Sequence, residues 1–228
     1  MITENIISKF SKLDEKSKNI ILEEFLEEVS ENSLLIERIS HRGKYKDKDI
    51  LRSKENIIEN FRKFIDLSKD KNHKFSVNDI KDCNYNVLKG MMIGGILRQN
   101  SVRLSGTDYT PPTPNNAYYM LKDLEYFVNE FEKNKSKSVI EIAAYIHCEI
   151  IKIHPFEDGN GRTARALMNY YLLKNGCIPI VVWHKCRSEY LSVNEEYFKN
   201  NDLKPFISFM EKLLEEQSKN ISKFLEKV

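Results

Sequence analysis

The chain has 228 residues, 41% of them hydrophobic and 31% charged, and 36 basic side chains stand against 34 acidic ones for a formal charge of +2. That length fits one principal domain with a helical extension, and the near balance of charge leaves no electrostatic footprint for nucleic acid. The apolar run CIPIVVW is far short of a membrane span, and MITENIISKF lacks the basic start and apolar stretch of a secretory leader, so the expectation is a cytoplasmic protein with no membrane partner. Cys83, Cys148, Cys177 and Cys186 are widely spaced without a CxxC pair; they read as free thiols, not metal ligands.

In chain order, Ile20, Ile21 and Phe25, with Leu22 and Val29, mark the apolar face of a first helix. The basic stretch HRGKYKDKDILRSK at 41–54 is interrupted by aspartates and reads as a solvated loop and helix start. Ile57, Ile58, Phe61, Phe64 and Ile65 then define a second helical face. Between 95 and 114, Val102 and Leu104 alternate with polar neighbours before a Ser-Gly turn and two prolines. This reads as a short hairpin or an irregular connector. Ser138 and Glu141 form a capping box ahead of Val139, Ile142, Ala143, Ile146, Ile150 and Ile153, a helix that stops before Pro155. Ala164, Leu167, Met168, Tyr171 and Leu172 mark the next helix, closed by KNG at 174–176. Phe206, Phe209, Met210, Leu213 and Leu214 mark the last. The fold class expected is all-α, mostly helical.

The string HPFEDGNGRTAR at 154–165 falls between two of these helices. His154 sits at a helix end and is able to accept a proton near neutral pH. Gly159, Asn160 and Gly161 open the following helix, where free N–H groups and the helix dipole favour an anion. Arg162 and Arg165 are neighbours on its first turn, two guanidinium forks suited to a polyphosphate. Asp158 supplies an oxygen ligand for Mg2+, which usually takes one or two carboxylates plus substrate phosphates. A base, a metal ligand, a phosphate cradle and charge clamps are the inventory for phosphoryl or nucleotidyl transfer to a hydroxyl.

That string resembles, at every defined position, the Fic signature His-Pro-Phe-x-(Asp or Glu)-Gly-Asn-Gly-Arg-x-x-Arg. The likeness extends to GGILRQNSVRLSGTDYTPPTP, to AAYIHCEIIKIHPF and to CRSEYL at 186–191, roughly residues 75–215. Membership implies transfer of AMP from ATP to a Ser, Thr or Tyr hydroxyl of a protein. It implies His154 as general base and Asp158 as magnesium ligand. Asn160 and the Gly159 and Gly161 backbone would bind the α-phosphate region, Arg162 and Arg165 the β- and γ-phosphates, and Phe156 would fix the loop in the core. It favours the hairpin at 95–114, a flap whose residues 102–112, among them Val102, Arg103, Leu104 and Thr110, register the target chain. His147 reads as structural and Glu157 as a solvent-facing acid.

Some family members resemble one another in a second motif, Ser or Thr, three residues, Glu, then Gly or Asn. In SLLIER, Ser33 and Glu37 stand one helical turn apart, while Arg38 departs from the small final residue. An inhibitory helix at about 33–40 would bring Glu37 to Arg165, at the seat of the γ-phosphate. Residues 1–70 would then be a regulatory helical extension and 71–228 the core. The leading expectation is an autoinhibited, magnesium-dependent protein adenylyltransferase. The alternatives are a de-AMPylase that uses Glu37 and a non-catalytic nucleotide-binding module. Self-modification and homo-oligomerisation stay open.

Overall fold

The computed structural model describes Phe10 and residues 12–37, 47–104 and 107–225, with side chains to residue 222. Its α-helices run α1 Glu15–Ile36, α2 Asp47–Leu67, α3 Val77–Leu88, α4 Pro114–Asn134, α5 Val139–Ile153, α6 Asn160–Lys174, α7 Arg187–Asn200 and α8 Lys204–Leu225, with a 3-10 turn at His184–Cys186. Among the described residues no helix is long and apolar enough to cross a membrane.

Two helices form the centre. α5 buries residues around its whole circumference, from Ala143 and Ile146 to His147, Cys148 and Ile150, as a helix enclosed on all sides must. α6 packs against it and is buried along nearly its whole length despite a mixed sequence. Its polar members are satisfied inside: Asn169 donates to the Ile180 carbonyl at 2.9 Å and accepts from the Ile180 N–H at 2.6 Å. That clamp pairs both main-chain groups of Ile180 in the middle of the buried run Cys177–Trp183, as a buried main chain requires.

α2 and α3 lie on α6, α1 lies on α2, α4 flanks α5, and α8 packs on α5 and α7. The expected stripes point inward. Phe25 of α1 meets Phe61 of α2 edge-on at 5.4 Å, and Phe206, Phe209, Met210, Leu213 and Leu214 of α8 are buried. Ile58 and Ile65 lie at the margin of the α2 stripe, half-buried against the same core. The Ser138 hydroxyl and Glu141 carboxylate cap α5 reciprocally. Cys83, Cys148 and Cys177 are buried free thiols and Cys186 is half-buried.

The hairpin expected at 95–114 is not shown. The segment 95–114 contains no strand among its described residues. Its chain is tied by a single buried guanidinium instead: Arg98 donates to the carbonyls of His154 (2.7 Å), Asn100 (2.8 Å) and Pro112 (2.5 Å), and its own N–H reaches the Pro155 carbonyl at 2.9 Å. Pro111 and Pro112 have no N–H to give to a ladder. Residues 105 and 106, the turn itself, and Arg38 with the rest of the expected 33–40 helix lie outside the described residues; α1 ends at Ile36 and Glu37 caps it.

Candidate active site

His154 caps the C-terminus of α5 in the left-handed region, φ 49°, with its N–H on the Ile150 carbonyl at 3.0 Å. A non-glycine residue there is strained, and the Arg98 side chain gripping its carbonyl holds it in place. The turn aims the imidazole into a cavity. Its Nδ1 is buried and lies against the Ile151 main chain. Burial is the main cause that lowers its pKa to about 4, because charging a ring cut off from water is costly.

The loop from Pro155 to Gly159 folds back on itself. The Asn160 amide accepts from the Phe156 N–H at 3.0 Å and donates to the Phe156 carbonyl at 2.8 Å, while the Phe156 ring is buried in the core. Asn160 therefore shapes the loop with the very groups that the family resemblance assigns to phosphate. Gly159 is the N-cap of α6 at φ 80°, and a Cβ there would lie 2.8 Å from the Asn84 amide nitrogen. That nitrogen supports the loop through the Asp158 carbonyl at 2.9 Å. Gly159→Ala adds a left-handed alanine to a clash and is expected to cost about 1–3 kcal/mol of stability, read from urea unfolding.

Both arginines of α6 are buried and engaged with carboxylates. Arg162 donates to Asp158 Oδ1 at 2.9 Å and to the Ser53 hydroxyl of α2 at 3.0 Å. Arg165 donates to Glu37 Oε1 at 2.9 Å, to Ser33 Oγ at 2.8 Å and to the Tyr190 hydroxyl at 3.2 Å. A Cβ on Gly161 would fall 2.2 Å from the same Glu37 Oε1. The carboxylate of Glu37 therefore rests against the first turn of α6, where N–H groups and helix dipole favour an anion.

His154, Asp158, Gly159, Asn160, Gly161 and Glu37 line one cavity of about 980 Å³, with Arg103 and Leu104 of the flap segment at its rim. Arg162, Arg165 and Ser33 stand behind that wall, and Val102 and Thr110 lie outside it. Three supporting side chains receive no role from the sequence, Arg98, Asn84 and Ser53, while Tyr190 belongs to the Arg-x-x-Tyr element of CRSEYL. The signal for Asn84 and Ser53 is faint, a polar residue on the buried face of a helix. His147, fully buried, is bonded to Tyr190 at 2.9 Å, in keeping with a structural role. Glu157 is exposed.

Residues 70–172 match the model of the Fic/DOC family. Over that segment the chain is similar to the Fic family. It is 32% identical over 150 residues to "Protein adenylyltransferase Fic" of Drosophila persimilis, an alignment covering 65% of this chain and 29% of that protein; the chain thus spans about three tenths of the curated relatives it matches. In fold the chain is similar to a Fic-domain signaling protein of Bacteroides thetaiotaomicron, with a TM-score of 0.82, 20% identity, and 96% and 93% of the two chains covered. It is also similar to the BepC protein of Bartonella tribocorum, solved with bound AMPPNP, with a TM-score of 0.56, 17% identity, and 73% and 86% covered.

Proposed function

We propose that this chain is a protein adenylyltransferase that moves AMP from ATP to a protein hydroxyl and is held back by Glu37. The observation that carries the reading is the sharing of one cavity by the His154 ring and the anion-favouring first turn of α6, in a chain whose relatives bear that enzyme's name. With the triphosphate on the α6 turn and Arg165, the acceptor oxygen approaches the α-phosphorus from the His154 side. A P–O bond forms to the acceptor, the bond to the β-phosphate breaks, pyrophosphate leaves and the imidazole takes the hydroxyl proton.

Asp158 is an acid on the cavity wall, and no cluster of three metal-ligating side chains exists among the described residues. One wall carboxylate fits magnesium, whose remaining positions phosphate oxygens and water fill. The ion would supply charge neutralisation of the phosphates there.

Val102, Arg103 and Leu104 make no main-chain hydrogen bond among the described residues. That leaves an edge on which an acceptor segment can pair as an added strand, which is the role we assign to residues 102–112. Residues 1–70 act in this reading as the regulatory extension, with α1 delivering Glu37. The test is mass spectrometry of Glu37→Gly protein incubated with ATP, magnesium and a cell extract. An AMP adduct on Ser, Thr or Tyr supports the assignment; no adduct with any nucleotide donor overturns it. Loss of AMP from a pre-modified protein, dependent on Glu37, would show the flow reversed.

A further inference from the structure

Arg165 has three described hydrogen-bonding partner residues, and two of them, Ser33 and Glu37, belong to the end of α1. The third, the Tyr190 hydroxyl, sits on α7 and does not depend on α1. If the end of α1 withdraws, Tyr190 is the one acceptor among the described residues that still directs this buried guanidinium.

The protons around that phenol can be assigned. A guanidinium only donates, so the Tyr190 oxygen accepts from Arg165. The phenol's own proton then needs an acceptor, and its other partner is His147 Nε2, 2.9 Å away. His147 is fully buried, and burial, then the charge of Arg165, lowers its pKa well below the ordinary range, so the ring is neutral. If Nε2 accepts, the one orphan is the Nδ1–H, which has no partner among the described residues. If Nε2 carried the proton, both the phenol hydrogen and the Nδ1 lone pair would be orphaned. Unmade hydrogen bonds in the interior are costly, so the Nδ1–H tautomer is preferred. The ring plane is fixed by Phe206, stacked on His147 at 4.5 Å and 18°.

We propose that Tyr190, backed by neutral His147 and Phe206, is a positioning residue that holds Arg165 aimed at the first turn of α6 whether or not Glu37 is seated. The chain Phe206, His147, Tyr190, Arg165 runs from α8 through α5 and α7 to the cavity wall, so the grip on an incoming polyphosphate is set by the core. This rests on the reading of Arg165 as a phosphate ligand; the tautomer does not.

Two measurements test it. In the Glu37→Gly protein, Tyr190→Phe and His147→Leu should each weaken ATP binding by about tenfold, the effect of one hydrogen bond to a charged group. His147→Gln, which keeps an acceptor for the phenol, should recover most of the loss. In an Arg165→Ala background Tyr190→Phe should change nothing further, since residues acting through one another are not additive. Unchanged affinity in Tyr190→Phe, or full additivity with Arg165→Ala, overturns the proposal. Independently of ATP, the nitrogen shifts of His147 should show a protonated Nδ1 in the parent protein. A protonated Nε2 overturns the proposal even if ATP binds. If Glu37→Gly protein binds no ATP at all while His147 shows the expected tautomer, it is the nucleotide reading that fails.

Discussion

Replacing Glu37 with glycine should raise ATP affinity and AMP incorporation by about one to two orders of magnitude over the parent protein if the proposed brake operates. The size follows from exchange at a single guanidinium. Glu37 Oε1 lies 2.9 Å from Arg165, whose side chain is 3% exposed, and the same oxygen stands against Gly161 on the first turn of α6. A triphosphate must displace that carboxylate before it can take the arginine and the helix N-terminus. Charge-assisted hydrogen bonds to a buried cation are worth about 1.5–3 kcal/mol, and each 1.4 kcal/mol is a factor of about ten. Glu37→Gln separates charge from shape: it keeps the volume, loses the ion pair, and should fall between parent and Glu37→Gly. Titration with a non-hydrolysable ATP analogue reads affinity, and labelled AMP incorporation reads turnover. If Glu37→Gly binds and labels no better than the parent, the contact is an ordinary helix cap and the brake is wrong.

The parts of this site that could be read from the sequence are those fixed by neighbours in the chain. Ser138 and Glu141 are three apart, and the capping box they form is seen; Pro155 stops α5 one residue after its last turn, which places His154. Gly159 occupies a left-handed N-cap because no other residue takes φ 80° cheaply. What could not be read is set by contacts across the chain. No strand is seen at Val102 and Leu104; Arg98 instead reaches carbonyls on both sides of them, at Asn100 and Pro112, and no local rule foresees that guanidinium. Ser53 behind Arg162 and Asn84 beneath Asp158 are distant in sequence from the motif they support. α3 and α4 had weaker cues that were legible in principle. Ser76 and Asp79 form a capping box with an aspartate in the place usually given to glutamate, and Thr113 caps a helix that begins with Pro114.

In the proposed mechanism His154→Ala, introduced into the Glu37→Gly protein, should lower AMP transfer by about two to four orders of magnitude, the usual contribution of a positioned general base, and should leave ATP affinity within about twofold. The split is expected because the phosphate-facing groups belong to α6 and the imidazole stands at the end of α5. The pH dependence gives a second reading of the same group. A base works unprotonated, and burial lowers the His154 pKa to about 4, opposed by the hydrogen bond with the Ile151 main chain and by the charges of Glu37 and Asp158, with the Arg98 charge acting in the same direction as burial. Removing Glu37 deletes one opposing charge, so in the ligand-free Glu37→Gly protein the ring is neutral from pH 8 down past pH 5. A bound triphosphate adds negative charge and raises the pKa again, which makes the imidazole a stronger base at the moment it is needed. Ring proton shifts of His154 should therefore show no titration near pH 6.5 without nucleotide, and a midpoint displaced upward with a bound ATP analogue. The sign for stability follows from the same shift. Between about pH 6.5 and 4 the unfolded chain binds the His154 proton and the folded chain does not, so this contribution is complete above 6.5 and is lost as pH falls toward 4. In His154→Ala that slope should flatten, and an unchanged acid profile together with an ordinary titration near 6.5 would place the imidazole in water instead of in the cavity wall.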